Sequence, residues 1–416
     1  MTAYAAAPHM LQFRCIGTAC EDTCCKAWDV PISTDDQARL AGAIGAAADD
    51  MVNRIPNGKG GTLVVLRKLP GGACTQLDDA QLCALHARLG EEVLPDVCAT
   101  YPRVIGRVGD RLELTGQLSC PEVARLSLLR DEPPLVEAPP EPFGRLKVRF
   151  QVSPDGTVPY LAPFEAVRDV LSALCTAPNF SMASRLYFIA ELAERLAPYY
   201  HRDVTTVDWE RLSRELTEIR RPEVQAELHA RRGASSPLDG LALHTVIGLI
   251  QSRSEAAPAF TRIIAKAART HGDAAGVAGT AGPLRQLIEV GPERMWRIHM
   301  ERRARLGPVQ TQRLENYLAR YCRNYWLQDW YPLSPSLLEH TLHLVLRVAL
   351  LRFLLIAHPD LGPDGDVALT ERTAVEVFYA TSRAFDHNQS LREALSHLLA
   401  KQGMVTVGHA AALLKL

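Results

Sequence analysis

The sequence predicts a mainly α-helical protein in which a small, irregular, cysteine-rich lobe with a few short strands packs on an α-helical bundle. Three observations predict it. Eight of the ten cysteines lie before residue 121 of a 416-residue chain. Five prolines (133, 134, 139, 140 and 142) fall between Asp131 and Pro142, where a fixed φ and a missing N–H preclude regular helix or sheet. Beyond them the chain is rich in Ala, Leu, Arg and Glu, with apolar residues at helical spacing. The resulting divisions are a cysteine-rich, metal-binding domain over 1–130, a Pro-rich linker over 131–142 and an α-helical domain over 143–416.

In chain order, residues 63–69 and 111–118 read as short strands, the second alternating Leu112 and Leu114 with polar neighbours. Residues 78–94 read as a helix, with Leu82, Leu85, Leu89 and Val93 at helical spacing after an acidic start. Gly58, Gly60, Gly61, Gly71 and Gly72 punctuate the loops between. So little regular structure buries a weak core, which calls for a staple such as a metal. After the linker, helices are expected at about 163–176, 182–198, 208–219, 241–252, 259–270, 283–305, 310–328, 335–357, 366–386 and 390–399. Many start at Pro, Ser or Asp, which preset or cap a first turn. No fixed-period repeat occurs, so a bundle is expected rather than a solenoid.

Composition narrows the functions. Hydrophobic residues make up 47% and charged residues 22%, which excludes extensive disorder. A formal net charge of -1 excludes a polycation, so nucleic acid is not an expected partner. Residues 1–10 carry no basic patch followed by an apolar run. The most apolar stretch, Leu342 to Ala357, is interrupted by Arg347 and Arg352, so a buried helix is expected rather than a membrane span. The expected compartment is the cytoplasm, where clustered cysteines point to metal rather than disulfides.

The first cluster is Cys15-x4-Cys20-x3-Cys24-Cys25; Cys74, Cys83, Cys98 and Cys120 follow, each beside a turn or element end. Thiolate selects zinc or iron–sulfur centres. Successive side chains usually point apart, so only one of Cys24 and Cys25 is expected to enter a given centre. Eight thiols allow two four-ligand sites, or one four-iron cluster plus four structural thiols, and spacing does not choose between these. The lack of paired C-x2-C knuckles favours iron–sulfur over zinc. Cys175 and Cys322, isolated on helices, read as core packing. The C-x3-C-x2-C triad of radical S-adenosylmethionine enzymes fails at Ala27, and no G-x-G-x-x-G, phosphate loop, G-x-S-x-G or H-E-x-x-H is present.

Several other residues are candidates. Tyr101-Pro102-Arg103 follows Cys98 and would aim Arg103 near the metal, to hold a carboxylate or offset thiolate charge; a structural ion pair is the plainer role. Trp28 would cover the cluster or stack on a cationic donor, against simple core packing. His86 has ligand spacing from Cys83, although the thiols suffice for a tetrahedral site. His340 and His343 read as an ordinary helix face, and His387 as a proton acceptor or a helix C-terminal cap. The arginines between 294 and 323 read as a solvated face or a receiver for an acidic partner.

The segment FRCIGTACEDTCCKAWDVPI, the Cys74–Gly90 segment C-x8-C-x-L-H-x-x-L-G, Cys98-Ala-Thr-Tyr-Pro-Arg103, Leu314-Glu-Asn-Tyr-Leu318 with Arg323-Asn-Tyr325, and Ser382-Arg-Ala-Phe-Asp-His387 resemble the flagellin lysine-N-methylase (FliB-like) family. The early cysteine pattern is also similar to a wider group of iron- or zinc-chelating proteins. The resemblance implies a protein-lysine N-methyltransferase that uses S-adenosylmethionine and a [4Fe-4S] cluster, with zinc as the alternative metal. Its substrate would be flagellin or another lysine-bearing protein. It leaves Arg103 and His387 as catalytic candidates, and Trp28, Tyr101 and Arg103 as candidates to hold the donor. The alternative is a non-catalytic iron–sulfur or zinc module that binds a partner, carries electrons or senses redox state.

Overall fold

The computed structural model describes residues 3–26, 28–57, 60–143, 146–200, 203–233, 240–255, 257–277, 282–361 and 369–416. Ala27, Gly58 and the start of the 366–386 segment lie outside the described residues. Seven strands occur among them: β1 (Ala3–Ala6), β2 (Val52–Pro56), β3 (Thr62–Leu66), β4 (Arg103–Val108), β5 (Arg111–Gly116), β6 (Val136–Glu137) and β7 (Val148–Val152). Five form one sheet in the order β6-β1-β5-β4-β7, while β2 and β3 make a separate hairpin. The sheet is mixed: β1 runs parallel to β5 and β7 parallel to β4, whereas β4 and β5 are antiparallel. Everything else is helix or connection, so the fold is mainly α.

Two apolar clusters hold the molecule. The smaller contains Val30, Ile32, Leu40, Ala48, Met51, Leu66, Cys74, Leu85 and Leu94. It sits under the β2–β3 hairpin and the helix Thr34–Ile44, which begins with a capping box of Ser33 and Asp36. The larger unites β1, β4 and β5 with the helical region. Its centre is the helix Leu337–Ala357, in which every residue except Arg347 is buried. That helix is long and apolar enough to cross a membrane, yet its apolar surface is covered by the rest of the fold.

Two contacts fix sheet against bundle. On β5, Glu113 accepts two hydrogen bonds from Arg168 at 2.6 and 2.8 Å, both side chains being buried. Burial opposes the Glu113 charge, but the Arg168 bonds outweigh it and hold the carboxyl below its ordinary range. On β4, Gly106 leaves room for Trp330: a Cβ there would lie 2.2 Å from the indole.

The structure departs from the sequence reading at definite points. The 78–94 helix shrinks to Ala84–Leu89 plus a 3-10 turn at Glu91–Val93. Asp78 accepts the Leu82 N–H at 2.8 Å and Gln81 takes φ 62°, so a side-chain turn replaces the first helical turns. The 283–305 segment is two helices, Pro283–Val290 and Pro292–Ala304, broken where Gly291 adopts φ 76° before a proline. The Pro-rich stretch does contribute sheet. Val136–Glu137, between the two proline pairs, adds an edge strand to β1, where missing N–H groups cost little. The structure adds the helices Thr34–Ile44, Pro121–Leu129, Pro222–Gly233 and Val407–Leu413 to those the spacing predicts.

Candidate functional site

Four thiols belong to the small lobe. Cys74 lies in its core, and Cys25, Cys83 and Cys98 pack against the same cluster. The Cys74 N–H donates to the Cys25 carbonyl at 2.9 Å, and Lys68 Nζ donates to that carbonyl at 3.1 Å. Cys98 senses the charges of Cys25, Cys74 and Cys83, and burial together with these neighbours pushes its thiol up. Burial also raises Cys74 and Cys83, opposed by backbone N–H donors to sulfur: Gln76 for Cys74, His86 and Leu85 for Cys83. The neighbouring Cys24 is the largest influence raising the Cys25 thiol, ahead of burial.

Of the remaining early thiols, Cys20 and Cys120 lie near Arg383 at the seam with the bundle. Cys20 is influenced by Cys15 and Arg383, and Cys120 by Cys20 and Arg383. Burial pushes Cys120 up to about 11, opposed by N–H groups of Val123 and Glu122 at the start of the Pro121–Leu129 helix. Arg383 crosses the seam. It donates to the carbonyls of Ser119 (2.8 Å), Thr23 (3.0 Å) and Asp22 (3.2 Å), and pairs with the Asp22 carboxylate at 2.7 Å.

These donors suit a thiophilic cation. Crowded, buried thiols resist losing their protons one by one, and backbone N–H groups already point at three of the sulfurs; a bound cation removes the mutual repulsion. Among the described residues, however, no three Cys, His, Asp or Glu side chains stand at metal-ligand spacing.

Beside the seam, Trp28, Tyr101 and His387 come together. Trp28 stacks on His387 with centroids 4.9 Å apart, and Tyr101 lies 5.5 Å from Trp28. Ser119 Oγ joins Tyr101 Oη (3.0 Å) and His387 Nε2 (2.8 Å). Burial pulls His387 down to about 4, so its ring is neutral at physiological pH. Arg103 is placed apart, over the Phe13 ring at 5.1 Å, where it senses Cys15 and Cys120.

The next residues open onto a cavity of about 370 Å³. Gln117 and Leu118 come from the end of β5, Arg149 and Phe150 from β7, and Tyr321, Asn324 and Tyr325 from the helix Pro308–Gln328; Arg347, Asp386 and Arg392 complete its polar wall. Asp329 accepts both of its bonds from Arg392, at 2.7 and 2.8 Å. Asp386 is bonded by Arg347 and by Ser382. Both carboxylates are therefore neutralised in place, while Arg149 stands at the mouth over Phe150 at 5.0 Å. Asn324, 3% exposed, donates to the Gly116 carbonyl and to Gln328, yet its own Oδ1 has no partner. Asn324 lines the cavity, but this oxygen is closed off from it, so a ligand donor reaches it only if the amide turns.

Other sequence candidates fall elsewhere. His86 is exposed and offers sulfur its backbone amide rather than its ring. His340 and His343 are buried on the Leu337–Ala357 helix. Ser334, Arg392 and the Asp329 carbonyl surround the first, and Ser396 bonds the second; burial lowers both to about 3. Cys175 and Cys322 meet in the core, as packing residues would. In the arginine-rich 294–323 stretch, Arg302, Arg303, Arg320 and Arg323 donate to backbone carbonyls and act as struts.

Two family models match the chain. Residues 168–413 match a family model described as the FliB lysine N-methylase C-terminal domain, and residues 14–121 match one for a zinc- or iron-chelating domain. A lysine-N-methylase of Salmonella choleraesuis is 33% identical over 119 residues, covering 27% of this chain and 29% of the relative. One from Salmonella typhimurium is 32% identical over 123 residues, with the same shares. The flagellar biosynthetic protein FliU of Salmonella muenchen is 30% identical over 122 residues, covering 27% of this chain and 68% of FliU. The matched region thus spans less than a third of the two lysine-N-methylases. No solved structure matches.

Proposed function

The chain belongs to the FliB lysine N-methylase C-terminal domain family, and from that premise we propose that it is a cytoplasmic protein-lysine N-methylase. It would transfer a methyl group from S-adenosylmethionine to lysines of a flagellin-type substrate, with a thiolate-held [4Fe-4S] cluster in its cysteine lobe and zinc as the alternative metal. The observation that carries this is convergence. The family-like segments around 314–325 and 382–387 meet the end of β5 at one cavity, directly behind the seam where the cysteine lobe docks.

The cavity chemistry suits the reaction. S-adenosylmethionine supplies an electrophilic methyl group on a sulfonium, a cation favoured by aromatic faces. Tyr321, Tyr325, Phe150 and Phe385 provide such faces. Arg149, exposed beside Phe150, is placed to take a carboxylate, and Asn324, once its amide turns, to accept a donor N–H or O–H. A lysine amine is protonated in water, with a pKa of about 10.4, and must lose that proton before it attacks. Entry into a cavity whose carboxylates are already neutralised gives no stabilisation to an ammonium, so desolvation drives the proton to solvent. The nitrogen lone pair then bonds the methyl carbon, and the carbon–sulfur electrons leave with the sulfur as a neutral thioether.

Metal-replete protein, methyl-labelled S-adenosylmethionine and flagellin test the proposal. Methyl-sized mass increments on flagellin lysines are expected. Label transfer to no flagellin lysine by metal-replete, folded protein would refute it.

A further inference from the structure

The five-stranded sheet treats its two edges differently. At one end β6, the two-residue strand between the proline pairs, covers β1. At the other end β7 pairs, among the described residues, with β4 alone. Val148, Arg149 and Gln151 are exposed there. The Gly109 N–H donates to the Val152 carbonyl at 2.9 Å, so Val152 turns its backbone groups toward β4. Successive strand residues direct their backbone groups to opposite edges, so Gln151 turns its N–H and C=O outward. The pairing also shifts within β7. Ile105 faces Val148 and Gly106 faces Phe150, which leaves Arg149 as an extra residue, a bulge. Neighbours on a regular strand point to opposite faces. Here Arg149 and Phe150 both line the cavity, with the guanidinium 5.0 Å from the ring centroid. The bulge thus makes one end of an open strand edge part of the cavity wall.

We propose that the free edge of β7 is where the protein substrate docks: an extended segment, with an acidic residue beside its target lysine, adds to the sheet as a further strand and passes the lysine into the cavity. This rests on the reading of the cavity as the methyl-transfer site and adds how the substrate is held. Main-chain hydrogen bonds along a sheet edge supply affinity, and alternate side chains of the added strand supply selectivity. Charge selects the flanking residue. The cavity wall carries Arg149, Arg347 and Arg392 against Asp329 and Asp386. Arg392 engages Asp329, while Arg347 and Ser382 engage Asp386. Arg149 is exposed and has no carboxylate partner among the described residues, so an acidic side chain of the arriving segment pairs with it. Leu333, 56% exposed and lining the same cavity, offers an apolar contact alongside. An uncovered edge invites unwanted pairing, and folds usually cover it. This fold covers the edge away from the cavity and leaves open the one beside it.

Fluorescence anisotropy tests this with the full, metal-replete chain and a labelled synthetic peptide that carries a single lysine beside a glutamate in a Ser/Thr background. Saturable binding is expected. Two further peptides carry methyl groups on alternate sets of backbone nitrogens. One set should bind about tenfold or more weaker and the other like the unmodified peptide, because only every second amide of an added strand faces the edge. Gln151→Pro removes an outward N–H that β4 does not use, at a position where an edge strand tolerates proline. It should weaken the unmodified peptide about tenfold or more at unchanged Tm. Arg149→Glu should weaken the glutamate peptide more than one whose lysine is flanked by serine. No saturable binding, equal loss with both methylated sets, or full binding by Gln151→Pro would overturn the docking edge; should Gln151→Pro misfold, the methylated peptides decide with the unaltered chain. Methyl transfer to flagellin is read separately. Transfer by a chain whose peptide binding ignores the edge would sink this inference and leave the methylase reading standing.

Discussion

Removing the Arg383 guanidinium, as in Arg383→Met, tests how the cysteine lobe is held to the bundle. Three carbonyls receive its hydrogen bonds, at 2.8, 3.0 and 3.2 Å, and the Asp22 carboxylate pairs with it at 2.7 Å. Its side chain is only 8% exposed, so little solvent screening weakens these contacts. A hydrogen bond to a charged group contributes about 1.5–3 kcal/mol net, so three contribute about 4.5–9 kcal/mol if nothing compensates. Water reaching the freed carbonyls recovers part, leaving about 3–5 kcal/mol, the usual loss when one partner of a buried pair is removed. At about 1.4 kcal/mol per factor of ten, undocking becomes easier by roughly two to three and a half orders of magnitude. Native-state hydrogen exchange reads this directly. Amides around Cys20–Cys25 and Gln117–Cys120 should exchange at least about a hundredfold faster, while the Leu337–Ala357 helix keeps its protection. Arg383→Lys, which keeps the charge but reaches fewer carbonyls, should fall between. An acceleration below about tenfold in Arg383→Met would show that Arg383 does not hold the lobes together.

Three further outcomes follow from the packing and the charges. Gly106→Ala places a Cβ 2.2 Å from the Trp330 ring and should cost about 1–3 kcal/mol or more, seen as a lowered Tm with altered tryptophan emission. Glu113→Gln leaves Arg168 charged and buried, so denaturant titration should show a loss of about 3–5 kcal/mol; Glu113→Leu with Arg168→Met should recover most of it. His271 and His387, held down to about 4, and His340 and His343, held down to about 3, are neutral when folded but take protons near 6.5 when unfolded. The unfolded chain therefore binds more protons between those values, and stability should fall as pH drops below about 6.5, by about 1.4 kcal/mol per pH unit for each histidine. A stability curve flat from pH 7 to 5 would contradict their buried, neutral state.

The helical frame was legible because its signals are local. Proline at 308, apolar spacing through Leu314, Leu318 and Tyr325, and the stop near Asp329 define one helix without tertiary information. The sheet was less so. Ala3–Ala6 has no alternation to read, and it becomes a strand only because β5 offers a parallel edge. The cysteine lobe was legible as metal chemistry from residue type alone, whereas which thiols pack on the small core required the fold. Of the cavity, only the family-like segments that supply Asn324, Tyr325 and Asp386 were legible. Gln117, Arg149, Asp329, Arg347 and Arg392 share no spacing with them and join them only through packing. A local hint was Arg347, a charge interrupting an apolar run, which proves to be that helix's single residue outside the buried core.

Calorimetric binding of S-adenosylmethionine to metal-replete protein, compared with Asn324→Leu, decides whether the donor occupies the cavity. The variant removes the buried, unpartnered oxygen of a residue that lines the cavity. Saturable binding to the unaltered protein, weakened about tenfold or more in Asn324→Leu at unchanged metal content, is the predicted result. Equal affinity in the two proteins would place the donor elsewhere and contradict the reading of this cavity as the methyl-transfer site.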